Sequence, residues 1–114
     1  MDAAGPRSPR RGQRARHVRP PWGMVNAALF AEVRRVGERF VFWSIQPEGQ
    51  RQVSAPRQVG YVLRHAHAGA IIDLHDAEGT PAAPARLVEA LPRMIRGLRD
   101  RGYTLTTVAD LLKT

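Results

Sequence analysis

The 114-residue sequence contains no cysteine, a single lysine and no long apolar run. Without cysteine the chain can form neither disulfides nor thiolate metal sites. No stretch reaches the apolar length that a transmembrane helix needs. The positively charged first residues are not followed by the apolar segment of a secretory signal. The sequence therefore indicates no particular compartment.

Positive charge is abundant by contrast. The formal net charge is +8, and all but one of the 18 Lys and Arg residues are Arg. Residues 1–17 hold Arg, Pro, Gly and Ser with almost nothing to bury, so we expect a disordered basic leader. Arg is suited to phosphate recognition. However, no aromatic residue lies among these arginines to stack on bases, which disfavours nucleic-acid binding.

Strand-like and helix-like segments alternate after the leader. The pattern predicts an extended segment over 18–23, a strand over 40–45, a loop over 46–53, a strand over 69–76 and a strand over 103–107. Helices are predicted over 25–36, 54–68 and about 84–101, the last delayed or kinked by Pro92, with a closing helical turn over 108–112. This alternation indicates parallel βαβ crossovers. About four such units are half of a (β/α) barrel, so the pattern predicts an incomplete α/β fold.

The segment over 69–80 is the first candidate for chemistry. Its apolar run, opened by Gly69, predicts a buried parallel strand, and α/β folds place their chemistry where such strands end. Alternation puts Asp73 and His75 on one face, with Leu74 on the other. A carboxylate and an imidazole among apolar neighbours are costly unless paired or used. They are therefore either a satisfied polar pair or part of a functional site.

Several segments, in this order, resemble the C-terminal half of the polysaccharide deacetylase family, the NodB-homology domain. They are Arg19-Pro20-Pro21-Trp22-Gly23 with Asn26, Phe42-Trp43-Ser44, Gly69 to Asp76, and the apolar and glycine positions of 90–112. The resemblance covers residues 18–114. It implies an enzyme with a distorted (β/α) barrel that removes N- or O-acetyl groups from sugars in chitin-like polymers, peptidoglycan or xylan. The implied lineage is a metal-dependent hydrolase of carbon–nitrogen bonds other than peptide bonds. The resemblance also implies a divalent metal, often zinc.

The resemblance implies roles for individual residues. His75 matches the general acid that protonates the leaving amine, a role suited to the pKa of imidazole. The main-chain N–H of Trp22 matches the oxyanion donor. Arg19 matches the arginine that holds the catalytic aspartate. Trp43 matches the aromatic wall of the pocket, and Leu74 matches the contact for the acetyl methyl group.

Two departures from the family pattern change these expectations. The aspartate-rich first strand and the His-x-x-x-His helix are missing upstream of Arg19, so we expect this chain to lack the general base and to bind no metal. The segment after Trp43, where relatives commonly carry an aspartate that orients the acid histidine, contains Gln46 and Glu48. Gln46 adds no charge, and we hypothesise that Asp73 orients His75 instead.

The other histidines offer a poor metal site. His65 and His67 would point about 200° apart on a helix, which is unsuitable ligand geometry. If the helix ends before them, a chelating loop remains an alternative. His17 lies in the expected leader. We therefore expect no metal site built from these histidines.

The interpretation that follows is a polysaccharide deacetylase-like chain, impaired or inactive by itself, with an acetylated polysaccharide as the partner of the complete enzyme. One alternative is a non-catalytic sugar-binding or protein-interaction remnant, in which self-association covers exposed barrel edges. Another is a misassigned start or a frameshift that separates two halves of an ordinary enzyme. A nucleic-acid-binding protein that uses the basic leader is the remaining alternative.

Overall fold

The computed structural model describes residues 16–77 and 79–113. The chain divides into two units, Met1–Phe42 and Trp43–Thr114. Most of the expected basic leader, residues 1–15, lies outside the described residues, but His17 is described and opens the first strand. Within the described part of the chain, no helix combines the length and apolar composition needed to cross a membrane.

The first unit is a small parallel βαβ arrangement. Strand β1 (His17–Val18) pairs in parallel with β2 (Arg39–Phe40). Between them lie a 3-10 turn (Pro21–Gly23) and helix α1 (Ala27–Arg35). The side chain of Asn26 caps α1 by accepting a hydrogen bond from the N–H of Leu29 at 2.8 Å. The helix ends before Gly37, which adopts φ 77° as expected of a residue just beyond a helix.

The second unit is built around two packed helices, α2 (Ala55–His65) and α3 (Ala83–Asp100), and it ends in the short helix α4 (Val108–Leu111). Apolar residues recur at helical spacing along both helices, so each helix buries one face in the core. The core consists of Ile45, Ala55, Val59, Val62, Ala90, Met94 and Leu98. Helix α3 begins nine residues before Pro92 and continues through it, so the late start considered from sequence is wrong.

Residues 44–48 run beside residues 71–75 with a constant offset of 27 positions. Ile45 forms a parallel bridge with Ile72. The N–H of Ser44 donates to the carbonyl of Ile71 at 2.9 Å, and the N–H of Asp73 donates to the carbonyl of Ile45 at 2.9 Å. Because Pro47 has no N–H, it cannot extend this ladder. The two segments are therefore aligned by a short ladder that gives way to side-chain contacts.

The three predicted strands are reduced or absent in the described residues. The expected strand over 40–45 is limited to Phe40 at the end of β2 and to the bridge at Ile45. The expected strand over 69–76 is limited to the single bridge at Ile72. The segment 103–107 forms no strand; instead Tyr103 packs against the core, and its hydroxyl donates to the carbonyl of Ala66 at 3.2 Å. Strand formation needs a neighbouring strand to pair with, and these segments have little or none in this unit. The described fold is thus α/β with a small parallel sheet.

The contact between α2 and α3 gives a test of this packing. Gly97 on α3 lies against Leu63, and a Cβ added at Gly97 would come within 2.7 Å of the Leu63 Cδ1 atom. A Cβ added at Gly60 on α2 would meet no atom within 4 Å. We expect Gly60→Ala to stabilise the chain by roughly 0.5–1 kcal/mol through helix propensity, whereas Gly97→Ala loses that gain to overpacking. Thermal melts of both variants measure the difference, and equal stabilisation by both would contradict the packing.

Candidate functional site

Arg19 links the end of β1 to the last residue of the first unit. It follows β1, and its Nη2 donates to the main-chain carbonyl of Phe42 at 3.2 Å. Arg19 is exposed, and a guanidinium is the side chain best suited to a two-pronged contact with a carboxylate. The placement is compatible with holding a catalytic carboxylate, and that role stays a prediction.

Trp22 occupies a strained turn. Its φ of 60° lies in the left-handed region, which a bulky residue rarely adopts. The N–H groups of Gly23 and Met24 donate to the carbonyls of Pro20 and Pro21 within this turn. Such a conformation costs about 1–3 kcal/mol and is typical of functional turns. The indole is 80% exposed, so no packing of the ring explains the strain.

Trp43 and Leu74, the expected substrate contacts, belong to the second unit. Both side chains are half-buried. Leu74 packs against the core of this unit and also lines a small cavity. Leu74 therefore has a structural contact of its own, and the role of each residue in binding an acetyl group stays a prediction.

Asp73 and His75 are brought to one place but have different partners. The buried carboxylate of Asp73 accepts a hydrogen bond from Nε2 of Gln46 at 3.0 Å. His75 Nε2 lies 2.8 Å from the main-chain carbonyl oxygen of Glu48. Gln46 therefore acts as a hydrogen-bond donor to Asp73. The hypothesis that Asp73 orients His75 stays a prediction, beside a second candidate orienter in the Glu48 carbonyl.

Glu48 is the centre of a buried polar cluster. Arg86 donates to both carboxylate oxygens, from Nε at 2.9 Å and from Nη2 at 2.8 Å. The same carboxylate accepts from the Thr80 hydroxyl at 2.7 Å, the Val53 N–H at 2.9 Å and the Gln58 Nε2 at 3.1 Å. Only 5% of the Glu48 side chain and 16% of the Arg86 side chain are exposed. The charged pair is thus shielded from solvent, and its carboxylate is saturated with donors.

These donors change the acidity of Glu48. The hydrogen bonds from Arg86 are the largest influence and outweigh the opposing effect of burial, with Thr80 and the Val53 N–H adding to them. Together they lower the pKa of the Glu48 carboxyl from 4.5 to about 2. The carboxylate also raises the pKa of the Arg86 guanidinium. The pair therefore stays charged throughout the neutral and mildly acidic range.

A cavity of about 10 Å³ lies between these groups. Its lining includes Glu48, Gln58, Asp73, Leu74 and His75. This volume is close to the minimum that one water molecule requires. The cavity is too small for a sugar, so within this unit a polysaccharide could reach the half-buried His75 only from the surface.

Metal ligands are not assembled among the residues described. Over 16–77 and 79–113 there is no group of three or more His, Cys, Asp or Glu side chains placed to hold an ion. His65 ends α2 and stacks near Tyr61, with ring centroids 4.3 Å apart. His67 Nε2 lies 3.2 Å from the hydroxyl of Ser44. The described residues therefore do not fit a metal centre.

The polar cluster around Glu48 was not predictable from sequence as a site. Glu48 lies in a segment of turn composition, and its partner Arg86 is one of many arginines, 38 positions further on. A single acidic residue in a loop between two buried segments was the available signal. Because ion pairs between distant positions leave no periodic pattern, that signal did not identify the partner.

Known proteins resemble this chain in sequence and structure. The bifunctional xylanase/deacetylase of Pseudobutyrivibrio xylanivorans is 33% identical over 102 residues, 90% of this chain and 16% of that protein. The peptidoglycan-N-acetylglucosamine deacetylase of Bacillus cereus is 31% identical over 97 residues, 83% of this chain and 44% of that protein. The Xyl-CE4 domain of a multidomain xylanase from the hindgut metagenome of Trinervitermes trinervoides superposes with a TM-score of 0.71 at 31% identity, covering 88% of this chain and 45% of that domain's chain.

The matches cover only part of each relative. This chain spans less than half the length of each of the three proteins. No family model matches the chain.

The Glu48–Arg86 pair predicts how stability depends on pH. Because folding lowers the Glu48 pKa, the unfolded chain binds the proton more readily, so the stabilisation is complete above about pH 4.5 and is lost as pH falls toward 2. Glu48→Gln is expected to flatten this dependence and, at pH 7, to lower the melting temperature by roughly 5–10 °C. Melts between pH 7 and 2 measure both effects.

Glu32→Gln is the matched control for this experiment. Glu32 pairs with Arg35 on the exposed surface of α1, where solvent screens the interaction. We expect this variant to keep the acid sensitivity of the unaltered chain. An equal loss of acid sensitivity in both variants would show that the buried pair is not its source.

Proposed function

Because this chain is related in sequence to the polysaccharide deacetylases of carbohydrate esterase family 4, we propose that it provides part of a site that removes acetyl groups from a sugar polymer. The observation that carries the proposal is the 31–33% identity to deacetylases over more than four fifths of the chain. The same sequence similarity supports a more specific description of the fold, namely the C-terminal part of a distorted barrel with about four βα units.

The proposed chemistry is hydrolysis of an N-acetyl group. Water adds to the acetyl carbonyl carbon, the carbon–nitrogen bond breaks, and acetate and an amine are released. The leaving nitrogen must gain a proton, which we assign to His75 as general acid. The main-chain N–H of Trp22 is the proposed donor to the developing oxyanion. Trp43 and Leu74 would contact the acetyl group, and Arg19 would orient the general base, which we expect this chain to lack.

The metal has no assigned residues in this proposal. Deacetylases of this family are metal-dependent, and a bound metal supplies an activated water molecule. The residues over 16–77 and 79–113 hold no suitable group of ligands. We therefore assign to this chain the donation of the proton, the oxyanion contact and the contacts with the acetyl group.

A second candidate function is binding of acetylated sugars without catalysis. It is favoured by the same lack of assembled ligands in the described residues. The half-buried Trp43 and Leu74 would serve this function equally well. Binding and hydrolysis must therefore be measured separately.

Binding is tested by titrating the chain with an N-acetylglucosamine oligosaccharide and, in parallel, with its fully deacetylated form. We expect the acetylated form, but not the deacetylated form, to shift the NMR signals of Leu74 and His75. Leu74→Val, which removes one methylene group, should weaken binding by roughly 3–10-fold. The matched control Leu105→Val changes an exposed leucine and should leave the affinity unaltered. Equal binding of both sugars would contradict recognition of the acetyl group.

Hydrolysis is tested by measuring acetate released from the same oligosaccharide with added Zn²⁺. Release that falls by about 10²-fold or more in His75→Ala would support the deacetylase function. Binding without release would show that this chain alone does not catalyse the hydrolysis. If the chain neither binds the acetylated sugar nor releases acetate, both candidate functions are wrong.

A further inference from the structure

The main-chain carbonyl of Glu48 holds one nitrogen of the His75 ring. The two atoms, the carbonyl oxygen and Nε2, lie 2.8 Å apart, which is a short hydrogen bond. The contact follows the register of the two neighbouring segments, in which Gln46 faces Asp73 and Glu48 faces His75. The ring is therefore held by the same alignment that pairs the segments.

A carbonyl oxygen can only accept a hydrogen bond, so Nε2 of His75 must carry the hydrogen. In the neutral ring Nδ1 is then the unprotonated nitrogen. A second proton is then gained or lost mainly at Nδ1, because the hydrogen bond to the carbonyl favours keeping the proton on Nε2. The contact thus fixes which nitrogen exchanges a proton with another molecule.

The Glu48 carbonyl is itself held in place by the side chain of the same residue. Arg86 binds the carboxylate through two nitrogens, and Thr80 donates to it from the segment before α3. The N–H of Val53 donates to the carboxylate and closes the loop that begins at Glu48, while Gln58 donates both to the carboxylate and to the carbonyl of Val53. Five hydrogen bonds to one buried carboxylate leave the residue little freedom to turn its carbonyl away.

We propose that Glu48, held by Arg86, is a positioning residue for His75, and that it fixes the imidazole in the tautomer with hydrogen on Nε2 so that Nδ1 is the proton-donating nitrogen. This inference rests on the proposed function for its purpose, since a general acid needs a defined donor atom. The tautomer itself is a property of the free chain. It can be measured without substrate.

The first experiment measures the tautomer of His75 in the unaltered chain. Long-range ¹H–¹⁵N NMR of histidine-labelled protein, at a pH where the ring is neutral, distinguishes the protonated from the unprotonated ring nitrogen. His75→Gln assigns the signals by removing them. We expect a roughly tenfold excess of the Nε2–H form, a ratio that one hydrogen bond supports. His65, whose ring stacks near Tyr61 at the end of α2, is the internal reference.

The second experiment weakens the hydrogen bonds that hold the Glu48 carboxylate. Arg86→Lys keeps the positive charge but loses the two-pronged contact with the carboxylate, and Thr80→Val removes a single donor. We expect the tautomer ratio of His75 to fall toward that of His65, more in Arg86→Lys than in Thr80→Val. Arg93→Lys, an exposed position on the same helix, is the matched control and should leave the ratio unchanged.

Several results would overturn the proposal. One is an excess of the Nδ1–H form in the unaltered chain, which needs no variant to observe. Another is an unchanged ratio in Arg86→Lys and Thr80→Val while circular dichroism shows both folded. A change in Asp73→Asn but in neither of these variants would assign the orienting role to Asp73 instead. Each readout is independent of sugar binding and acetate release, so it separates this inference from the proposed function.

Discussion

The buried carboxylate of Glu48 is the group on which the second unit most depends. Removing a charge from water is costly, and the cost is met here only because Arg86, Thr80, Gln58 and the Val53 N–H all donate to it. These donors come from the loop after Glu48, from α2, from the segment before α3 and from α3 itself. One carboxylate therefore connects four parts of this unit by hydrogen bonds. The apolar core formed by α2 and α3 supplies most of the buried apolar side chains.

The helices could be predicted from sequence because their signals are local. Val59 and Val62 recur at helical spacing and become buried on α2, as Met94 and Leu98 do on α3. The predicted end of this helix, near residue 101, also agrees with the structure, where Gly102 follows α3 with φ 87°. A helix satisfies its own backbone hydrogen bonds, so its sequence needs no information about neighbours. Helix α3 continues through Pro92, which supplies no N–H, because its apolar face is buried on both sides of the proline, at Ala90 and Met94.

The strands and the polar cluster could not be predicted to the same extent because both require partners. A strand is defined by the neighbour that accepts its hydrogen bonds, and the segment over 69–76 has a neighbour only as far as Asp73. Pro47 in the partner segment supplies no N–H beyond that point. The alternation expected from sequence nevertheless survives: Ala70, Ile72 and Leu74 pack against the core, while Asp73 and His75 engage polar partners. Alternation is a property of extended backbone, whereas strand assignment is a property of pairing.

The end of the ladder also explains why the candidate site forms where it does. As far as Asp73 the two segments are joined by main-chain hydrogen bonds, with the Ser44 hydroxyl also accepting from the N–H of Ile71 at 3.2 Å. Beyond Pro47 the main chain of Glu48 has a carbonyl to satisfy and no strand hydrogen bond to receive. His75 meets that requirement at the same offset of 27 positions. Unlike a carboxylate, a carbonyl that accepts from His75 fixes the position of a ring proton without adding a formal charge. The chain thus combines a neutral contact to the imidazole with a buried charge on the same residue, and the ion pair with Arg86 acts on His75 through the backbone of Glu48.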